Sequence, residues 1–174
     1  MALARFWRDG LVRFGLIVAA PVVAVDQASK WAIVDVVMQP PRVIEVTGFF
    51  NVVMVWNRGV SFGLFSGGQE AMRWVLVALA LAITVALVHW LRRIDRRFLA
   101  LSIGLVIGGS IGNVIDRVRF GAVADFLDVH LFGYHWPSFN VADSAITVGV
   151  AILLIDIVFG ARGDAVVADR GGEP

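Results

Sequence analysis

Cysteine is absent from the 174 residues, so the chain has no disulfide framework, no thiolate nucleophile and no sulfur-ligated metal site. Charge is scarce too. Only 17% of the residues are Asp, Glu, Lys or Arg, against 59% hydrophobic, where a soluble domain carries roughly 25% and 45 to 50%. So little charge does not cover a water-soluble surface, and so much apolar surface exceeds what one small core buries. A formal net charge of +1, with no concentrated basic face, argues against a nucleic-acid partner. Internal repeats, low-complexity tracts and breaks in composition are also missing, and the chain reads as a single integral membrane domain over 1–174. What it has in abundance is apolar runs, with a mean hydropathy of +0.81.

A membrane-crossing helix needs about 20 mostly apolar residues. Four windows qualify, near 12–34, 71–91, 98–115 and 144–159. The first follows Arg5, Arg8 and Arg13 as a signal peptide would, but no small-x-small cleavage site closes it and Asp26 to Lys30 continue it, so a retained helix kinked at Pro21 is expected. Those arginines, and Arg92, Arg93, Arg96 and Arg97 between the second and third spans, belong in the cytoplasm by the distribution of Lys and Arg in short loops. The loops after spans one and three then face outward, and counting spans puts both termini inside. Trp31, Trp74, Trp90 and Trp136 fall near span ends, where indole rings favour the interface. Val43 to Trp56, rich in β-branched and aromatic residues, predicts a short sheet lying on the membrane. The expected fold is all-α and membrane-integral, four transmembrane helices with a small extracytoplasmic β-rich region after the first.

In that topology the unwelcome polar residues gather at the outer face: Asp26 and Lys30 in span one, Asn113, Asp116 and Arg117 at the end of span three, Asp143 at the start of span four. Ionisable groups in or beside a span are costly and mark a partner or a cavity. Asp26 and Lys30 are one turn apart and read as a salt bridge. Asn113, Asp116 and Arg117 share one helix face, where Asp116 is expected to hold Arg117 and Asn113 to bond a neighbouring backbone. Gly104, Gly108 and Gly112 make a smooth ridge for close helix contact. Asp125 and Asp143 have no evident salt-bridge partner. Two carboxyls held close do not both ionise, so one keeps a proton while the other acts as base toward water. With Asn140 capping the last helix, Asp143 falls at its third residue, in the positive end of the helix dipole. Position alone leaves Asp128 open as a third candidate.

The blocks Asp26-Gln27-Ala28-Ser29-Lys30, Asn57-Arg58-Gly59-Val60-Ser61-Phe62, Gly108-Gly109-Ser110-Ile111-Gly112-Asn113-Val114-Ile115-Asp116-Arg117, Val123-Ala124-Asp125-Phe126 and Phe139-Asn140-Val141-Ala142-Asp143 resemble, in order, those of the bacterial lipoprotein signal peptidases, or signal peptidase II. Val60 and Ser61 stand where that family usually has two alanines. The resemblance implies an aspartic endopeptidase of the bacterial inner membrane, without metal or other cofactor. It would remove signal peptides from prolipoproteins just before a diacylglyceryl-modified cysteine. It implies Asp125 and Asp143 as the catalytic pair, supported by Asp26, Lys30, Asn57, Gly109, Asn113, Arg117 and Asn140. The implied partners are the prolipoproteins, membrane lipids and cyclic-peptide antibiotics such as globomycin.

Rival readings are weaker. Gly108 to Gly112 spell G-x-S-x-G, but a nucleophile elbow needs a strand, a turn and a helix around the serine, and Ser110 lies inside an apolar span. Asp125, Asp128, His130 and His135 are suitable metal-ligand types without the compact spacings of zinc sites. A small channel, transporter or assembly subunit would need polar groups through the membrane's thickness, and the inner half offers mainly His89 and Asp156, the latter read as structural.

Overall fold

The computed structural model describes residues 2–59 and 69–170, with side chains at 10–59 and 70–159. Its elements are α1 (Ala2–Trp31) with a π-helical continuation (Ala32–Val37), β1 (Ile44–Thr47), β2 (Phe50–Asn57), α2 (Gln69–Leu91), α3 (Arg97–Phe120), β3 (Val123–Leu131), β4 (Tyr134–His135) and α4 (Val141–Arg170). Val60, Ser61 and Phe62 lie outside the described residues, as do the side chains of Arg5 and Arg8.

Among the described residues, four helical stretches are long and apolar enough to cross a membrane: Gly10–Val37, Glu70–Leu91, Arg97–Phe120 and Val141–Phe159. They contain the four expected spans. The third continues to Phe120 and the fourth opens at Val141, which puts Asn113, Asp116, Arg117 and Asp143 on rigid helix. Helix α1 runs on through Pro21.

Helix α3 is the axis of the bundle. Within its span window 61% of residues are buried, against 22%, 17% and 11% for the other three, so those three present most of their apolar surface outward. The small-residue ridge makes this possible. Gly104 meets Gly15 and Val18, Gly108 meets Ala19 and Val22, and Gly112 meets Asp26, all on α1. A Cβ at Gly104 would lie 2.5 Å from the Gly15 carbonyl oxygen. On its other side α3 packs on α4, where a Cβ at Gly109 would run into the Ala142 carbonyl.

The two ends of the bundle differ. Leu11, Ala19, Leu91, Ile94, Ala100, Ile103 and Ile107 fill one end, near which Arg96 reaches Asp156 at 3.5 Å, consistent with a structural Asp156. The other end buries Asp26, Lys30, Asn113, Asp116 and Asn140.

An antiparallel sheet of order β1-β2-β3-β4 adjoins that polar end. The Val43 to Trp56 region supplies β1 and β2 as expected, but half of the sheet comes from after α3. Helix α3 stops at Gly121, in the left-handed conformation (φ 76°), whose amide donates to the Arg117 carbonyl at 3.1 Å. That turn sends the chain back as β3. Val55 pairs with Asp125, Asn57 with Val123 and Asn51 with Asp128, across an irregularity between Val52 and Val55. Because successive side chains on a strand alternate, Asp125 shares a face with Leu127, Val129 and Leu131, while Asp128 shares the other with His130.

Candidate active site

Asp125 on β3 and Asp143 on α4 are joined by one residue. Asn140 Nδ2 donates to Asp125 Oδ1 at 2.7 Å, and the Asn140 backbone amide donates to Asp143 Oδ2 at 3.2 Å. In return Asn140 Oδ1 accepts the Asp143 amide at 3.0 Å. This is a capping box, with Asn140 as N-cap and Asp143 at the third helical position. The expected cap is present, and its Nδ2 reaches Asp125 while also meeting Asn113 Oδ1 and the Ala124 carbonyl, both at 3.3 Å.

Two more asparagines work in the same way. Asn57 Oδ1 accepts the Gly59 amide at 2.9 Å, which turns its Nδ2 toward Asp125 Oδ2 at 2.9 Å. Asn113 Oδ1 accepts from Lys30 Nζ at 3.2 Å, so its Nδ2 meets Asp143 Oδ1 at 2.8 Å. An ammonium only donates, so the orientation of the Asn113 amide is set. Each asparagine spends its oxygen on a fixed donor and presents N–H to an acid, adding no charge. Asn113 therefore bonds a carboxylate, not the neighbouring backbone expected from its spacing.

Asp125 is buried, and burial pushes its carboxyl up to about 6. The hydrogen bond from Asn57 opposes this, the proximity of Asp143 adds to it, and Asn140 and the charge of Lys30 oppose it. Arg117, whose Nη1 donates to the Asn113 carbonyl at 3.4 Å, lies within electrostatic reach of Asp143, Asp125 and Asp116.

Behind the pair lies a second buried layer. Lys30 Nζ contacts Asp26 Oδ2 at 2.9 Å, Asp116 Oδ2 at 2.8 Å and Asn113 Oδ1 at 3.2 Å, which uses all three of its hydrogens. The Asp26–Lys30 bridge is present but not self-contained. Asp116 holds Lys30, not Arg117 as spacing suggested: α1 crosses α3 on that face and brings Lys30 against it. Gln27, which spacing did not single out, spans Asp26 Oδ2 at 3.1 Å, Asp116 Oδ1 at 3.0 Å and the Gly112 carbonyl at 3.2 Å. Its place beside Asp26 in the first motif block was the available signal.

Asp128 is committed elsewhere. It accepts from Asn51 Nδ2 at 3.0 Å and lies 2.9 Å from His135 Nδ1. Burial works to raise its carboxyl, but the bonds from His135 and Asn51 and the charges of His135 and His130 outweigh this and hold it below the ordinary value. Asp128, His130 and His135 thus sit on the face opposite Asp125 and do not form one cluster with it. Ser110 is within α3, bonded to Thr84 Oγ1 at 3.2 Å; no strand and turn precede it, so the elbow pattern is a coincidence of helix packing.

Apolar spans that enclose, at one end, two carboxyls held by neutral amide donors have the build of a polytopic membrane enzyme. The comparisons agree with that class. The model of the family described as Signal peptidase (SPase) II matches residues 18–159. A lipoprotein signal peptidase of Methylobacterium sp. (strain 4-46) is 45% identical over 159 residues, covering 90% of this chain and 96% of its own. One from Rhizorhabdus wittichii is 47% identical over 143 residues, covering 81% and 83%. A solved chain described as a bacterial membrane enzyme superposes with a TM-score of 0.72 at 33% identity, covering 84% of this chain and 88% of that one. This chain belongs to the signal peptidase II family and is a membrane protease.

Proposed function

We propose that the protein cleaves signal peptides from diacylglyceryl-modified prolipoproteins just before the lipidated cysteine, with Asp125 and Asp143 as the catalytic pair. The observation that carries this reading is the double contact of Asn140, which couples the two acids through one side chain and its own amide. Asp125, pushed up to about 6, holds the shared proton, and Asp143 is the base. Asp143 takes a proton from a water between the acids, the water attacks the scissile carbonyl, and Asp125 donates to the developing oxyanion. Asp143 passes the proton it took to the departing amine as the tetrahedral adduct collapses, and Asp125 recovers its own from the adduct's hydroxyl. Asn57, Asn113 and Asn140 orient the acids with dipoles, and Asp26, Lys30, Gly109 and Arg117 support them. Further charge added here would disturb the sharing of one proton.

The site belongs at the extracytoplasmic face of the inner membrane, with both termini cytoplasmic, because the arginine-rich turn around Arg92 to Arg97 lies at the opposite end of the bundle. The sheet rests on that outer face. Between 43 and 57 its one charged residue is Glu45, and Asp125 and Asp128, the acids between 121 and 140, are both buried. Leu127, Val129 and Leu131 continue the Asp125 face as an apolar row suited to a signal peptide and to the lipid on its cysteine, which enters sideways from the bilayer. Cyclic peptides such as globomycin fit the same place as competitors. The test is incubation of the purified protein in detergent with lipidated and unlipidated prolipoprotein, reading the mass of the released peptide. Cleavage of the lipidated form alone is the expected outcome; no cleavage of either form overturns the reading.

A further inference from the structure

Two acids on separate elements, β3 and α4, repel one another when both are charged, so something other than the pair must set their separation. The buried layer behind them has the geometry for it. Asp26 Oδ1 accepts the amide of Ala142 at 2.9 Å, and Asp116 Oδ2 accepts the amide of Ala124 at 3.1 Å. Each of these amides belongs to the residue immediately before a paired acid. Ala142 is at the second position of α4, where a helix leaves its amides without an internal partner, so Asp26 acts as a remote cap supplied by α1. Ala124 lies in β3, eight residues beyond Asp116 and just past the Gly121 turn. Lys30 then bonds both Asp26 and Asp116, and Gln27 spans them a second time. Asp26, Asp116 and Lys30 are each at most 2% exposed, so this bracket is shielded from solvent competition.

We propose that Asp116 is a positioning residue for Asp125 and forms, with Asp26 as its counterpart for Asp143, a two-armed clamp. Each arm grips the backbone one residue before an acid, and Lys30 and Gln27 lock the arms together. The separation of the carboxyls is thereby set by the packing of α1 on α3 and not by the pair itself. Space for one arm is made by Gly112, where a Cβ would lie 2.5 Å from Asp26 Oδ2. Gln27 has an amide where a third carboxylate would repel both arms. This inference rests on the assignment of Asp125 and Asp143 as the catalytic pair.

The test is steady-state cleavage of a diacylglyceryl-modified prolipoprotein by the purified full-length protein. Asp116→Ala removes the grip on Ala124 and is expected to lower kcat about 100-fold, the scale of an ångström-level misplacement, with KM changed less than about threefold. Asp116→Asn keeps an oxygen for the Ala124 amide and should recover about tenfold of that loss. Gln27→Glu, which keeps the size of the side chain, should lower kcat at unchanged KM as well. If Asp116→Ala does not fold, the Asp116→Asn and Gln27→Glu pair decides alone: wild-type kcat in both overturns the clamp. A raised KM at unchanged kcat would make Asp116 a substrate-binding group and overturn it too. Asp125→Asn and Asp143→Asn run alongside. Activity in those two sinks the catalytic assignment, whereas their inactivity beside a fully active Asp116→Ala sinks only the clamp.

Discussion

Asp125 and Asp128 are the same residue type on the same strand, three positions apart and both shielded from solvent, yet they point to opposite faces of β3 and meet opposite surroundings. Asp125 faces neutral amides and a second acid, and its carboxyl is pushed up to about 6. Asp128 faces a histidine and an amide, and its carboxyl is held below the ordinary value. One is prepared to keep and release a proton near neutrality. The other is prepared to stay charged and to tie the Tyr134–His135 strand to β2 and β3. The difference teaches that low exposure by itself does not set an acid's proton affinity; the depth of its surroundings and the groups that fill them decide.

The largest expected effect breaks the comparison at the side of the proposed catalytic pair. Asp125→Asn and Asp143→Asn should each leave an inserted protein with cleavage reduced at least about a thousandfold, since each removes a proton carrier of a coupled site. Asp128→Asn should stay within a few-fold of wild type. Equal losses at 125 and 128, measured as initial rates on lipidated substrate, would erase the distinction between the two faces.

Next in size is the link between the acids. Asn140→Ala removes the helix cap and the donor to Asp125 together, and should cost roughly 100-fold in kcat and about 1 kcal/mol of stability. A variant with normal kcat and lowered thermal stability would leave Asn140 as a cap and nothing more.

The pH profile sharpens the comparison further. In the proposed mechanism the singly protonated pair is the working form, so cleavage should follow a bell, with an alkaline limb at or above the value near 6 at which Asp125 gives up its proton. A rate that stays flat to the alkaline limit of protein stability would remove the need for a carboxylic acid donor. Folding stability should also depend on pH in opposite senses at the two acids. For Asp125 the folded carboxyl binds its proton more tightly than the unfolded one, so its ionisation destabilises the fold progressively from 3.8 to about 6, at most about 3 kcal/mol in all. For Asp128 the folded carboxyl is the stronger acid, so its contribution is present above the unfolded value and lost as pH falls below it. Thermal unfolding across pH 3 to 8 should therefore lose slope between 3.8 and about 6 in Asp125→Asn and at its acid end in Asp128→Asn.

The smallest effect is expected at the partner of Asp128. His135→Gln should leave cleavage within about twofold, because a half-exposed pair contributes of the order of 0 to 1 kcal/mol and lies on the face away from Asp125. A large loss of kcat there would couple the two faces.

By itself the sequence determined the spans, since helix length and apolar content are local properties that any bilayer imposes. It also marked the acids and asparagines, because a polar residue is conspicuous against so apolar a background and the five blocks that carry them resemble one family. Tertiary structure decided how those residues are paired. Lys30 meets Asn113 across 83 residues, and Asp26 meets the Ala142 amide across 116; no spacing along one helix announces such contacts. Local spacing instead paired Asp116 with Arg117 and left Asp128 open beside Asp125. Helix α1 crossing α3 gave Asp116 to Lys30. The alternation of β3, a strand hidden because its buried acids disguise its apolar pattern, turned Asp128 away. Composition and spacing report what each residue is, whereas the packing of α1, α3, α4 and β3 at one end of the bundle determines which donors each carboxyl meets, and therefore what it does.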